Sequence, residues 1–271
     1  MASYSMMTIR KVVSLGVGLL LAGAAGASAQ VSVTNTPVSD AFVRSLQPTQ
    51  NYGAAGALSV SGSVATNPTT GLQEGLLDSF LQFNVSNAVS NFNSAFGAGQ
   101  WAISNVTLTL TAQSANNADF NYGPGQFQVN WIGNNSWLEG TGTPASPTTN
   151  GITYAQEPSI LNSNVDESLG TFSYNGATSG QVKLTFGLPS GFISEISTGN
   201  LVSFYMTATP GSTVGFTFNS RNFTTSSDWP ALDITAVAIP EPSTVALLGL
   251  SCVVLAAIGR RRGKNAHDAT H

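Results

Sequence analysis

The 271-residue chain contains one cysteine, two histidines and charged side chains at only 8% of its positions. With Cys252 alone, a disulfide framework is excluded, and so is a zinc site built on Cys and His. His267 and His271 stand at the extreme C-terminus, so the body of the chain has no histidine or cysteine for a nucleophile–base pair or a Ser-His-Asp triad. Long apolar runs are missing too. The two that exist, residues 12–25 and 245–258, are both shorter than the ~20 residues that span a membrane unaided.

Positive charge is equally scarce. Residues 30–239 carry three basic side chains, Arg44, Lys183 and Arg221, against eleven acidic ones, a net charge of −8. Nothing steers such a segment toward nucleic acid or anionic lipid. Its 210 residues suffice for one all-β domain with a sizeable core.

The two ends differ from the middle in composition. Residues 1–29 have the form of a secretory signal peptide: Arg10 and Lys11, then the apolar run, then Ala27 and Ala29 at minus three and minus one of a cut expected after Ala29. Residues 240–264 begin with Pro240-Glu241-Pro242, continue through an apolar helix expected over 244–259, and end in the basic cluster Arg260, Arg261 and Arg262. At ~1.5 Å per residue the apolar run covers ~21 Å of a ~30 Å hydrocarbon core. Flanking small residues and snorkelling arginines complete the span, with the arginines on the cytoplasmic side. Two prolines around a carboxylate fix a short, non-helical segment that a protease can grip. Residues 265–271 form a disordered tail.

The ordered triple of Pro-Glu-Pro, apolar helix and arginine cluster resembles the PEP-CTERM sorting signal of Gram-negative bacteria. That resemblance implies an exosortase-type membrane transpeptidase as partner. It also implies a transient inner-membrane anchor, and release to the outer surface or the extracellular matrix.

Between the ends, Thr, Ser, Asn, Gly and β-branched residues favour strands and turns over helices. Apolar and polar residues alternate at Val106/Leu108/Leu110, Phe127/Val129/Trp131, Val182/Leu184/Phe186, Val202/Phe204/Met206 and Val214/Phe216/Phe218. This is the pattern of antiparallel strands with one buried and one wet face. Turn signals such as Asn51-Tyr52-Gly53 and Gly123-Pro124-Gly125 separate them. The reading is an all-β, antiparallel, jelly-roll-like β-sandwich over residues 30–239. Residues 86–96 carry a short helix by the spacing of Val89, Phe92 and Phe96, and residues 140–151 form an exposed loop.

The order of these pieces resembles the DNRLRE-type domain, a jelly-roll sandwich grouped with carbohydrate-binding modules. Asp40-Ala41-Phe42-Val43-Arg44, the Asn51-Tyr52-Gly53 turn, Phe80-Leu81-Gln82-Phe83-Asn84-Val85, Ile103 to Leu110, Trp137-Leu138-Glu139-Gly140-Thr141, Ile152-Thr153-Tyr154 and Pro230 to Ile234 carry the likeness. Two departures stand out. The family's basic strand is the neutral Ser79-Phe80-Leu81-Gln82-Phe83, and a later tryptophan position is Tyr154.

Sugar recognition uses aromatic faces with polar side chains around them. The loop-side aromatics Tyr52, Trp137, Tyr154 and Trp229, with Arg44 as the nearby cation, are the candidates, while Trp101 and Trp131 belong to the core. No cofactor is required. A structural calcium ion would draw on Asp40, Asp78 or Asp233, which lie near strand ends. The expected function is a non-catalytic surface or biofilm-matrix protein contacting exopolysaccharide or other surface components. The alternative is an extracellular polysaccharide-degrading enzyme using acids such as Glu139 or Glu157.

Overall fold

The structure is a computed structural model that describes residues 29–66, 71–73, 75–113 and 123–240, and residues 249, 251, 252, 254 and 255 of the C-terminal segment. Ala27, Glu241, Pro242 and Arg260 to Arg262 lie outside the described residues, as does most of the helix expected over 244–259. Its five described positions are helical, and among the described residues no helix is long and apolar enough to cross a membrane.

Among the described residues eleven strands make two antiparallel sheets. They are β1 (Gln30–Asn35), β2 (Pro37–Arg44), β3 (Ala57–Ser61), β4 (Leu77–Asn84), β5 (Trp101–Thr111), β6 (Gly125–Ile132), β7 (Glu167–Tyr174), β8 (Gln181–Thr185), β9 (Leu201–Ala208), β10 (Gly215–Asn219) and β11 (Ala231–Ala238). Sheet A has the order β1-β11-β5-β8. Sheet B has the order β10-β3-β4-β9-β6-β7, with β2 also paired to β4. The helices α1 (Ser86–Phe96), α2 (Glu157–Ile160) and α3 (Ser190–Thr198) are short.

Period-two alternation turns Val106, Leu108 and Leu110 of β5, and Leu232 and Ile234 of β11, toward Phe127 and Val129 of β6, Val202 and Phe204 of β9 and Phe216 and Phe218 of β10, in one buried cluster. α1 adds Ala88 and Phe92 to that cluster. α3 adds Phe192 and Ile196, and its first-turn amides at Gly191 and Phe192 donate to the carboxylate of Glu167 at 3.1 and 2.8 Å. A carboxylate from a neighbouring strand thus caps this helix.

The alternation expected on both sheets holds on sheet A, whose outer side carries Ser32, Thr34, Asn105, Thr107, Lys183 and Thr185. Sheet B departs from it. All residues of β3 and β10, and all but the last of β4, are buried. The reason on β4 is a second small core on the outer side of sheet B, formed by Ala41, Val43, Phe80, Ile132, Trp137 and Ile152. Long segment 133–166, between β6 and β7, supplies Trp137 and Ile152 to it. On that covered face Gln82 ties the segment to the sheet, its Nε2 donating to Asn135 O and Ser203 Oγ at 2.9 and 3.1 Å.

Among the described residues both cores draw on the strands, helices and loops of the sandwich, so the unit closes on its own apolar interior. Its two ends leave side by side. Gln30 opens β1 opposite Val237 of β11, and Ala238 N donates to Ala29 O at 3.2 Å. The expected signal-peptide cut therefore abuts the first strand, and Pro240, exposed, follows the last one.

Candidate functional site

Segment 133–166 is held against sheet B by a few well-placed side chains. Asn51 is fully buried. Its Nδ2 donates to Glu139 O at 2.7 Å and Ile152 O at 2.8 Å, and its Oδ1 accepts from Gly53 N and Gly142 N, both at 3.1 Å. Its backbone also pairs with Thr148. The two glycines it bonds have no room for a side chain: a Cβ on Gly53 would lie 1.9 Å from Glu139 O, and one on Gly142 would lie 1.8 Å from Asn51 O. Beside this hub Arg221 grips Glu139 through Nε and Nη2 at 2.7–3.1 Å, and Asn222 Nδ2 donates to Glu139 Oε1 at 2.8 Å.

Two of the expected sugar-stacking aromatics are corrected by this packing. Tyr52 is 3% exposed, stacked on Phe42 with ring centroids 4.7 Å apart, and its hydroxyl bonds Gln47 and Gln50. Trp137 is 5% exposed, packs against Phe80, and donates from Nε1 to Ser203 Oγ at 3.1 Å. Neither presents a ring face to a pyranose. Tyr154 and Trp229 are half-buried; Tyr154 lies against the outer core, and Trp229 Nε1 donates to Phe223 O. Arg44 donates to Gln47 Oε1 at 3.5 Å. The five candidates do not gather at one site. Trp131 is buried as expected of a core residue, and Trp101 is half-buried on Phe92.

The three acids considered for calcium are also separate. Asp40 lies on the inner side of β2 and Asp78 on the outer side of β4, while Asp233 is on sheet A, where it accepts from Thr34. Among the described residues no three Asp, Glu, His or Cys side chains converge on a metal position. Asp40 accepts from Arg221 N at 2.7 Å, and burial pushes its carboxyl up to about 7. Asp78, 1% exposed, and Glu157, 7% exposed and the first residue of α2, lie side by side, with Tyr205 and Thr207 next to Asp78. Burial first, and then each other's charge at Glu157, raises both, Glu157 to about 9. At neutral pH the pair keeps a proton.

What segment 133–166 presents to solvent is a groove. A depression of about 380 Å³ is bordered by Ser136, Leu138, Asn150 and Gln156, and one of about 350 Å³ by Asn134, Asn162 and Asp166; Ser159 and Ile160 of α2 form the wall between them. Aliphatic side chains are exposed here, Leu138 by 68% and Val165 by 46%. Three of the amide oxygens along it are committed to turns, whereas Asn135 Oδ1, at the second depression, has no partner among the described residues. Asn134 Oδ1 accepts from Ser136 N, Gln156 Oε1 from Thr153 N, and Asn162 Oδ1 from Asn164 N. Among the described residues their amino groups have no protein acceptor and remain as donors. Of the aromatics read from the sequence only Trp137, 5% exposed, lines the first depression; the amide and hydroxyl positions around it were missed. The signal was the run Gly133-Asn134-Asn135-Ser136 before Trp137.

Comparison with known families accounts for most of the chain. No curated protein matches it. Residues 238–262 match the PEP-CTERM protein-sorting motif, which marks an exported protein sorted to the cell surface. Residues 31–236, spanning the sandwich from β1 to β11, match the model of carbohydrate-binding module family 96, and the chain belongs to that family.

Proposed function

We propose that the protein is an exported, non-catalytic component of the outer surface or extracellular matrix of a Gram-negative bacterium. A membrane transpeptidase of the exosortase type releases it from a transient C-terminal anchor, and its sandwich, jelly-roll-like in topology, holds exopolysaccharide in the groove of segment 133–166. The observation that carries the binding half is the polar, solvent-open groove that segment 133–166 lays across one face of a carbohydrate-binding-module sandwich. The order of Pro-Glu-Pro, apolar segment and arginine cluster carries the sorting half.

The acid chemistry favours binding over hydrolysis. A glycosidase keeps two carboxyl groups at least ~5 Å apart on either side of an open cleft. Asp78 and Glu157 instead lie beside one another and are buried, 1% and 7% exposed. Glu139 is taken up by Arg221 and Asn222.

Two measurements test the proposal. Mass spectrometry of the extracellular form is expected to find a chain that starts at Gln30 and ends near Pro242; an intact full-length chain outside the cell contradicts the sorting half. Incubation with polysaccharides is expected to give retardation on affinity gels and no new reducing ends. Turnover that is lost in Glu139→Gln or Glu157→Gln would favour the enzyme instead.

A further inference from the structure

The groove's charge decides which polysaccharides it can hold. Between the two terminal segments the chain has only three cationic side chains, and none faces the groove unengaged. Arg221 is bound through two nitrogens to Glu139, Arg44 is bonded to Gln47, and Lys183 projects from β8 in the opposite sheet. The charged side chains at the groove are acids. Asp166 lines it, with Oδ1 and Oδ2 accepting from Gly133 N and Asn162 N, and Glu195 accepts from Asn135 at its edge. The donors it offers without a protein acceptor among the described residues are the neutral amino groups of Asn134, Gln156 and Asn162, each amide held by the backbone bond that its oxygen accepts.

A uronate polymer brings one carboxylate per sugar. Here it would find no cation to offset the desolvation of that charge, and it would approach a body of net charge −8. Sugar hydroxyls and ring oxygens lose little by accepting from neutral amides, and the C–H faces of the ring match Leu138, Ile160 and Val165. Resting on the polysaccharide-binding reading, we infer that this groove selects neutral, hydroxyl-bearing polysaccharides and rejects uronates.

Affinity electrophoresis of the sandwich, residues 30–239, in gels containing xylan, hydroxyethylcellulose, galactomannan, alginate, polygalacturonate or glycol chitosan tests it. At least one of the three neutral polymers is expected to retard the protein, to the same extent in low salt and in about 1 M NaCl, where the Debye length is about 3 Å. Gln156→Ala and Asn162→Ala are each expected to weaken that retardation about fivefold, the worth of one hydrogen bond, with far-UV circular dichroism unchanged. Asn162→Lys supplies the missing cation and is expected to confer alginate retardation that disappears in salt.

Retardation of the parent protein by alginate or polygalacturonate would overturn the selectivity while leaving carbohydrate binding intact. Retardation by glycol chitosan alone, abolished in salt, would do the same. No retardation by any of the six polymers would overturn the binding reading itself.

Discussion

Arg221 and Glu139 join the loop after β10 to the segment that crosses sheet B, through hydrogen bonds of 2.7–3.1 Å between a guanidinium 33% exposed and a carboxylate 14% exposed. Exposed ion pairs contribute up to ~1 kcal/mol, and breaking a buried one costs ~3–5 kcal/mol. This pair stands between the two. Arg221→Met, which keeps the aliphatic stem, is expected to lower unfolding stability by about 1–2 kcal/mol in urea denaturation. A value indistinguishable from zero would mean that segment 133–166 does not depend on the pair.

Asn51 is expected to matter more. Its amide satisfies two carbonyls and two backbone N–H groups at a fully buried position. Orphaning such groups costs roughly 1–3 kcal/mol each without adding fully. Asn51→Ala is expected to cost about 3 kcal/mol or more, and Asn51→Asp is also expected to destabilise, since it faces Glu139 O and Ile152 O with a third acceptor. Hydrogen exchange should then accelerate first at Gly142 and Thr148. Uniform acceleration across both sheets would count against a local anchoring role.

Trp137 separates packing from ligand contact. Its ring fills the outer core, so Trp137→Ala is expected to cost about 3–5 kcal/mol as a core truncation. Any loss of sugar binding in that variant should track loss of fold. A variant that binds no sugar yet melts like the parent would restore Trp137 as a stacking platform.

Stability is expected to fall with rising pH. Asp40, Asp78 and Glu157 all have carboxyls raised by burial, Asp40 to about 7 and Glu157 to about 9. A raised carboxyl leaves stability intact below its ordinary range near pH 4, and lowers it progressively until the pH reaches the folded-state value. The loss therefore begins near pH 4, and between about pH 7 and pH 9 it belongs to Glu157, at no more than about 1.4 kcal/mol per pH unit. Glu157→Gln should flatten thermal melts in that upper window. An unaltered slope there would exclude a proton held between Glu157 and Asp78.

Because the acids considered for calcium lie on different faces, chelator and added calcium are expected to leave the melting temperature unchanged. A rise of several degrees with calcium would require a site made from carbonyl oxygens and one acid.

Much of the fold was legible in the sequence. The alternations at Val106 to Leu110, Phe127 to Trp131 and Val202 to Met206 fall on β5, β6 and β9, and the expected helix is α1 over Ser86–Phe96. Alternation reports one buried face per strand, so it could not reveal that segment 133–166 covers the other face of sheet B. That covering is what took Trp137 out of solvent, while Tyr52 is buried in the main core, stacked on Phe42. Asn51-Tyr52-Gly53, read as a turn, is one in which each residue is fixed by packing: Asn51 anchors, Tyr52 stacks and Gly53 admits Glu139 O. Beyond Trp137 the groove escaped notice because its polar side chains are asparagine, glutamine and serine, which a sequence this rich in them does not single out.

Side-chain amide signals in a ¹H–¹⁵N NMR titration of the sandwich with xylo- and gluco-oligosaccharides offer the most direct measurement. Perturbations are expected to cluster at Asn134, Asn150, Gln156 and Asn162. Perturbations confined to Asn105 and Gln181 on the outer side of sheet A would place the sugar on the wrong face and contradict binding along segment 133–166.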